Sequence, residues 1–188
     1  MRFGHAAVAL CAVTMLCAPA SAQEEDRTAN STIFLEGLGP GVLYSINYER
    51  LVLDPLAVRV GFSYFSFSAT SGSETASAGF FMIPITASYV GLYSGSHGLE
   101  VGGGATLFYA TLASSGVGLS TTGSGVAAYG TAHVGYRVHP LDGGFNFRIG
   151  LMALFGPGFG GTSTDSDGQL QADFGVAPWG YLSLGYSF

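Results

Sequence analysis

The chain has 188 residues, only 10% of them charged, 30 of them Gly, and a formal net charge of −6 at pH 7. An ordinary soluble domain carries about 25% charged residues, so a chain this poor in charge has little with which to cover a water-facing surface. Lys is absent, and beyond Arg2 the only Arg residues are 27, 50, 59, 137 and 148, against twelve Asp and Glu. That balance disfavours nucleic acid as a partner and gives no polybasic segment for an anionic membrane surface.

The N-terminus predicts a secretory leader over 1–22. Arg2 supplies the positive charge, Ala6 to Cys17 the short apolar run, and Ala20-Ser21-Ala22 the small-residue cleavage site. Leu16 and Leu10 stand before Cys17 and Cys11, where lipoprotein processing needs a small residue. Both cysteines fall in the leader, so the mature chain has no disulfide and no thiolate metal site. Residues 23–30 are expected to form a flexible periplasmic tail, and 31–188 a single domain. Nothing after the leader approaches the ~20 apolar residues a spanning helix needs. In hydrocarbon, the other way to satisfy every backbone polar group is a closed barrel.

Eight segments then alternate with a period of two, each with one apolar and one small or polar face. The first, Thr32 to Leu38, points Ile33 and Leu35 outward, and Gly39-Pro40-Gly41 turns the chain as an unusually short first extracellular loop. The second, Val42 to Val52, sets Val42, Tyr44, Ile46 and Tyr48 against Ser45, Asn47 and Glu49. Asp54-Pro55 makes a short turn. The third, Ala57 to Ser68, points Val58, Val60, Phe62 and Tyr64 outward; the fourth, Phe80 to Gly91, carries Pro84, which predicts a bulge or a local break.

The fifth, Leu99 to Ala110, contains Gly102-Gly103-Gly104, where the strand can bend or a bulky neighbour can pack across it. The sixth runs from Val126 to Val138 and the seventh from Phe145 to Phe155, with Pro140 to Gly144 between them. The eighth, Pro178 to Phe188, ends the chain on an aromatic residue without a polar tail, which predicts a strand built into a closed sheet. Short turns follow the even segments. Long Ser/Thr/Gly-rich loops, 69–79 and 113–125 among them, are expected after odd ones, the pattern of periplasmic turns and extracellular loops. The fold class is all-β, an eight-stranded antiparallel up-and-down transmembrane β-barrel in the bacterial outer membrane.

Parity places Glu36, Glu49, Arg59, Glu100, Arg137 and Arg148 inside the barrel, with Arg50 alone outward at a periplasmic strand end. An Arg facing lipid at the midplane costs ~2–4 kcal/mol, so the partition supports the register. Three acids and three bases inside predict ion pairs, and the spacing suggests Glu49 with Arg59 and Glu100 with Arg137. The cluster reads either as a plug that fills the lumen or as an ion path; an eight-stranded barrel has room only for its own side chains or one small ligand. Bulky inward Phe65, Phe67, Phe108, Met152, Leu154 and Trp179 argue against an open lumen. Outward Tyr44, Tyr48, Tyr89, Tyr136, Tyr186, Phe145 and Phe188 read as interface girdles.

No catalytic signature emerges: no Gly-x-Ser-x-Gly, no His-Glu-x-x-His and no phosphate loop. Interior His133 is the single plausible base, while His97 and His139 fall in periplasmic turns. Asp165-Ser166-Asp167-Gly168 resembles a calcium loop, but Phe174 stands where the bidentate Glu is required. Neither a cofactor nor a metal is expected.

The run Gly41-Val42-Leu43-Tyr44-Ser45-Ile46-Asn47-Tyr48-Glu49-Arg50 followed by Val58-Arg59-Val60-Gly61-Phe62 resembles the opening hairpin of small eight-stranded outer-membrane β-barrel proteins of Gram-negative bacteria. Ile83-Pro84, Gly98 to Gly104 and Gly135-Tyr136-Arg137 are similar to later strands of that group. Leu184, Tyr186 and Phe188 look like the C-terminal signal read by the barrel-assembly machinery. The resemblance implies fold and location and transfers no catalytic residue. The expected role is non-enzymatic, in envelope integrity or surface interaction through extracellular loops. The alternatives are a narrow channel, a carrier of small apolar ligands, or a lipid-modifying enzyme. Expected partners are outer-membrane lipid and lipopolysaccharide, with the chain a monomer.

Overall fold

The alternation of apolar and small side chains draws the chain into strands that close on themselves. The computed structural model describes residues 27–116, 119–164 and 168–188; the expected leader and Asp165 to Asp167 lie outside these. The strands are β1 (Ser31–Leu38), β2 (Tyr44–Leu53), β3 (Leu56–Ser71), β4 (Glu74–Ser94), β5 (His97–Gly116), β6 (Leu119–Val138), β7 (Gly144–Thr164) and β8 (Leu170–Ser187). Each pairs antiparallel with its neighbours in sequence, and β8 closes onto β1 through pairs such as Ile33 with Tyr186. Parity holds around the ring: Ile33, Ile46, Val60, Ile85, Val134, Leu151 and Leu184 are exposed outward, while Thr32, Asn47, Arg59, Thr86, His133 and Ser183 are buried inward.

Pro84 breaks the ladder locally. Pairing between β3 and β4 resumes in the same register on either side of it, from Val60 with Ile85 to Ser63 with Met82. The expected choice between bulge and break is thus resolved as a break, because a residue without an N–H cannot donate to its neighbour.

Three expectations need correction. First, the stretch 69–79 and the described parts of 113–125 are paired strands rather than loops. Ala69 pairs with Ala76 and Thr70 with Thr75, and β3 turns into β4 at Gly72-Ser73. On the other side Ala113 pairs with Thr122 and Ser115 with Ser120. Their Ser/Thr/Gly composition hides the strands because, beyond the bilayer, burial no longer enforces alternation, whereas the backbone ladder persists without it. Second, Val42 does not begin a strand. Gly39–Gly41 forms one turn of 3-10 helix, and Leu38 and Val42 flank it with φ of 60° and 67°. Third, that turn is buried rather than exposed as an extracellular loop: Gly39, Pro40 and Gly41 all lie inside the barrel mouth.

Residues 27–30, expected as part of a flexible tail, run over the periplasmic end. The Thr28 and Ala29 amides donate to the Leu141 carbonyl at 3.1 and 3.0 Å, and the Arg27 guanidinium sits 5.4 Å from the Tyr93 ring centroid.

Candidate functional site

The lower lumen is filled by charge. Glu49 receives two hydrogen bonds from Arg148, at 2.6 and 2.7 Å, and a third from Arg137 at 2.9 Å. Arg137 also reaches Glu100 at 3.5 Å, and Arg148 approaches Glu100 at 3.9 Å. Arg59 pairs separately with Glu36 at 2.8 Å and donates its Nε–H to Thr86 at 2.8 Å. The Phe34 ring lies 4.3 Å beneath the Arg148 guanidinium. All six charged residues are at most 2% exposed. Each needs its partners, since an uncompensated buried charge is expensive.

The expected Glu100–Arg137 pair is present, at the long end of the range. The expected Glu49–Arg59 pair is not. These two residues are direct backbone partners across β2 and β3, yet their side chains diverge to opposite partners. In a closed ring an inward carboxylate meets the far wall as readily as the adjacent strand. Glu49 therefore takes two arginines from β6 and β7, whose identity depends on the closure.

Glycines decide which side chains span the gaps between strands. Glu100, Gly135, Gly150 and Tyr181 form one cross-strand row over β5 to β8. The Tyr181 side chain lies over both glycines, so a Cβ on Gly135 would collide with its hydroxyl and one on Gly150 would fall 2.5 Å from its ring. That clearance lets the Tyr181 hydroxyl donate to Glu100 at 2.6 Å. A second row repeats the device, with Ser88, Gly102 and His133 as partners and a Ser88 Oγ to His133 Nε2 contact of 3.0 Å across the glycine. The Gly-rich run of β5 thus accommodates a bulky neighbour.

Ser88 and His133 make a hydroxyl–imidazole pair that sequence parity did not show. Both are at most 5% exposed, and His133 Nδ1 has no hydrogen-bond partner among the described residues. Among the described residues no carboxylate orients its imidazole, and both side chains are buried in the lumen. The pair reads as interior packing.

The floor of the outer half is the buried turn. The Pro40 carbonyl accepts hydrogen bonds from Thr106 Oγ1 at 3.2 Å and from the Tyr129 hydroxyl at 2.5 Å, and the Gly41 carbonyl accepts from Ser63 at 3.3 Å. The two positive φ values at Leu38 and Val42 cost of order 1–3 kcal/mol each, and these cross-lumen bonds hold the turn against that strain.

Above the turn the barrel changes character. A cavity of about 440 Å³ is lined by Phe65, Phe80, Met82, Phe108, Tyr129 and Phe159, with Ala127, Ala128 and Pro157 at one side. Phe80 stacks on Phe108 with centroids 5.7 Å apart and packs against Phe65 at 5.1 Å. The last outward apolar residues of β3 to β6, Tyr64, Phe81, Tyr109 and Val126, are successive cross-strand partners. Beyond them the outward positions become Ser66, Ser68, Thr75, Ser77, Thr111 and Ser124, while the inward ones are Phe67, Ala69, Ala76, Ala78 and Leu112. A second hollow of about 520 Å³ follows these inward residues. Of the residues that line the first cavity, an aromatic cup, Phe65 and Phe108 read as inward from the sequence; Phe80, Met82 and Phe159 do not. Phe80 and Met82 sit at the inward parity of β4, which is the signal they offered; Phe159 sits at the outward parity of β7 and reaches the cavity only through the register shift between Pro157 and Thr162.

At the periplasmic end, His139 Nδ1 accepts from Arg137 at 2.7 Å and is 4% exposed. His97 Nδ1 meets the Tyr136 hydroxyl on the outer rim. Leu184, Tyr186 and Phe188 point outward at the end of the chain, and Phe188 and Ser31 exchange backbone hydrogen bonds of 2.9 and 2.8 Å.

A closed antiparallel ring with an even strand number, an apolar exterior band, aromatic girdles and a polar interior is the construction of an outer-membrane β-barrel. No protein-family model matches the sequence, and no curated protein matches it. The structure is similar to that of Ail, the attachment invasion locus protein of Yersinia pestis, at 14% identity, covering 85% of this chain and 98% of Ail with a TM-score of 0.47. It is also similar to the N-terminal β-barrel domain of Pseudomonas aeruginosa OprF, at 10% identity, 85% and 96% coverage and a TM-score of 0.49. Neisserial surface protein A is similar at 13% identity, 85% and 92% coverage and a TM-score of 0.43.

Proposed function

We propose that this chain is a non-conducting, non-enzymatic outer-membrane barrel that acts at the cell surface through its protruding strands. The observation that carries the reading is the double seal of the lumen. Buried Glu49, Glu100, Arg137 and Arg148 fill the lower half, and the Gly39–Gly41 turn lies across the space above them. A path for ions would have to break bidentate Arg–carboxylate bonds, which are among the strongest side-chain contacts. With the interior closed, the parts left to meet a partner are the four-stranded extension of β3 to β6 and the β7–β8 hairpin. Outer-membrane lipid and lipopolysaccharide are the partners nearest to both. Leu184, Tyr186 and Phe188 we assign to recognition by the barrel-assembly machinery, since they present an unobstructed outward row.

Single-channel recording on the refolded barrel in a planar bilayer tests the reading. The expected result is a heat-modifiable protein with no steady conductance. Steady, ion-selective steps would overturn it and turn the Arg–Glu cluster into a selectivity site.

A further inference from the structure

The wall of the barrel is incomplete beside the aromatic cup. Pairing between β6 and β7 runs from Val138 with Phe147 to Gly130 with Phe155 and stops there. Above that point β6 continues to pair with β5, and β7 with β8, so the backbone ladder between β6 and β7 ends, and on the inner side the Phe159 ring, edge-on to Tyr129 at 5.6 Å, spans the gap. The sequence supplies the cause. Continuation of the register would bring Pro157 opposite Ala128, and Pro157 has no N–H to donate. Gly158 and Gly161 follow with φ of 92° and 97°, and the β7–β8 register shifts between Pro157 and Thr162. The 440 Å³ cavity reaches this break from inside, since Ala127, Ala128 and Pro157 are among its lining.

The break faces the membrane. On β6 the outward residue Val126 lies beyond the last pair and is 76% exposed, and on the far side Val176 and Phe174 of β8 are exposed outward as well. The cup itself offers almost no polar chemistry, because the Tyr129 hydroxyl is already committed to the Pro40 carbonyl. Its volume falls in the range of small-molecule sites, about 300–1,000 Å³. Aromatic and Met side chains are gathered on the inner face of a mouth open to water, where an outer-membrane barrel normally carries polar groups. That surface is costly to hydrate, and the hydrophobic effect favours covering it.

We propose that the cup binds one apolar acyl chain of a membrane lipid, which enters sideways through the break between β6 and β7. The proposal builds on the sealed lumen: the Gly39–Gly41 turn gives the site its floor, so the chain is held rather than passed on. Occupancy would tie the barrel to individual lipid molecules of the surrounding leaflet.

Trp179, the only tryptophan, reports on this directly. It points inward and packs against Met152, Leu154 and Tyr181, the same buried cluster on which the cup residues Tyr129 and Phe159 pack. Bromine quenches indole fluorescence only at short range, and the barrel wall separates Trp179 from the bulk bilayer. The experiment compares the refolded barrel in bilayers of brominated phosphatidylcholine with the barrel in plain bilayers given brominated fatty acid from water. Expected is quenching by the brominated phospholipid that falls at least about twofold in Ala127→Phe, whose added ring fills the cup. Ala127→Leu gives an intermediate loss and serves where the larger change hinders refolding. Equal quenching in all three proteins overturns the site. Quenching by the aqueous fatty acid alone overturns the lateral route. Conductance recorded on the same preparation is a separate readout, so a leaking lumen and an empty cup are told apart.

Discussion

The two halves of the barrel are built with opposite polarity. In the lower half the exterior carries Val58, Val60, Ile85 and Val134, and the interior carries Arg59, Thr86, Glu100 and His133. In the extension of β3 to β6 the exterior carries Ser66, Ser68, Thr75 and Ser77, and the interior carries Phe65, Phe67, Ala78 and Phe80. The same strands supply both, without any change of parity. What changes is the solvent outside the wall, from hydrocarbon to water. A lower lumen closed by charge is set by the need to neutralise buried ions, whereas an aromatic upper lumen is not required for folding there, and that surplus is what points to a ligand.

The comparison can be broken most forcefully at Glu49. Arg148→Leu leaves that carboxylate with Arg137 alone, and removing one partner of a buried pair costs ~3–5 kcal/mol. Urea unfolding of the barrel in lipid should show a loss of that size. Replacing Glu36 and Arg59 together by Met should cost far less than either single change, because no charge is then stranded. A near-zero loss for Arg148→Leu would mean water reaches the cluster and the lower half is not sealed.

Next in size is the junction of the halves. Thr106→Val with Tyr129→Phe removes both hydroxyl donors from the buried Pro40 carbonyl. Leaving a buried acceptor unsatisfied costs ~1–3 kcal/mol, measurable by the same unfolding curve. Absence of any change would show that the turn is held by packing alone.

A smaller effect belongs to the periplasmic rim. Burial first, then the Arg137 and Arg27 guanidinium groups, push His139 down from 6.5 to about 3, with Glu49 pulling the other way and Arg148 adding to the depression. The unfolded chain therefore takes up a proton that the folded barrel refuses. Stability due to neutral His139 is complete above pH 6.5 and is lost as pH falls from 6.5 toward 3. Between pH 6.5 and 5 the loss should reach ~1–2 kcal/mol, and His139→Gln should flatten that part of the profile. An unchanged profile in the variant would assign the acid sensitivity elsewhere.

The smallest perturbation is expected at the tip of the extension. Gly72 has a φ of 63° and open space around it, so a peptide tag inserted after it should change stability by less than about 0.5 kcal/mol. The tag should be accessible to antibody on intact cells. Accessibility only after the outer membrane is permeabilised would invert the topology and place the cup in the periplasm.

The period-two pattern by itself determined the strand count, the inward and outward faces, and which six charged residues enter the lumen. It did so because lipid imposes a strict local rule on every outward side chain. Where lipid ends the rule lapses, which is why the paired strands over 69–79, 113–116 and 119–125 read as loops. The sequence paired Glu100 with Arg137 but could not pair Glu49. Glu49 lies beside Arg59 on the neighbouring strand, yet binds Arg137 and Arg148, nearly a hundred residues away. That choice and the inward fold of Gly39–Gly41 were decided by closure of the ring, because distances across a lumen exist only once the last strand has met the first.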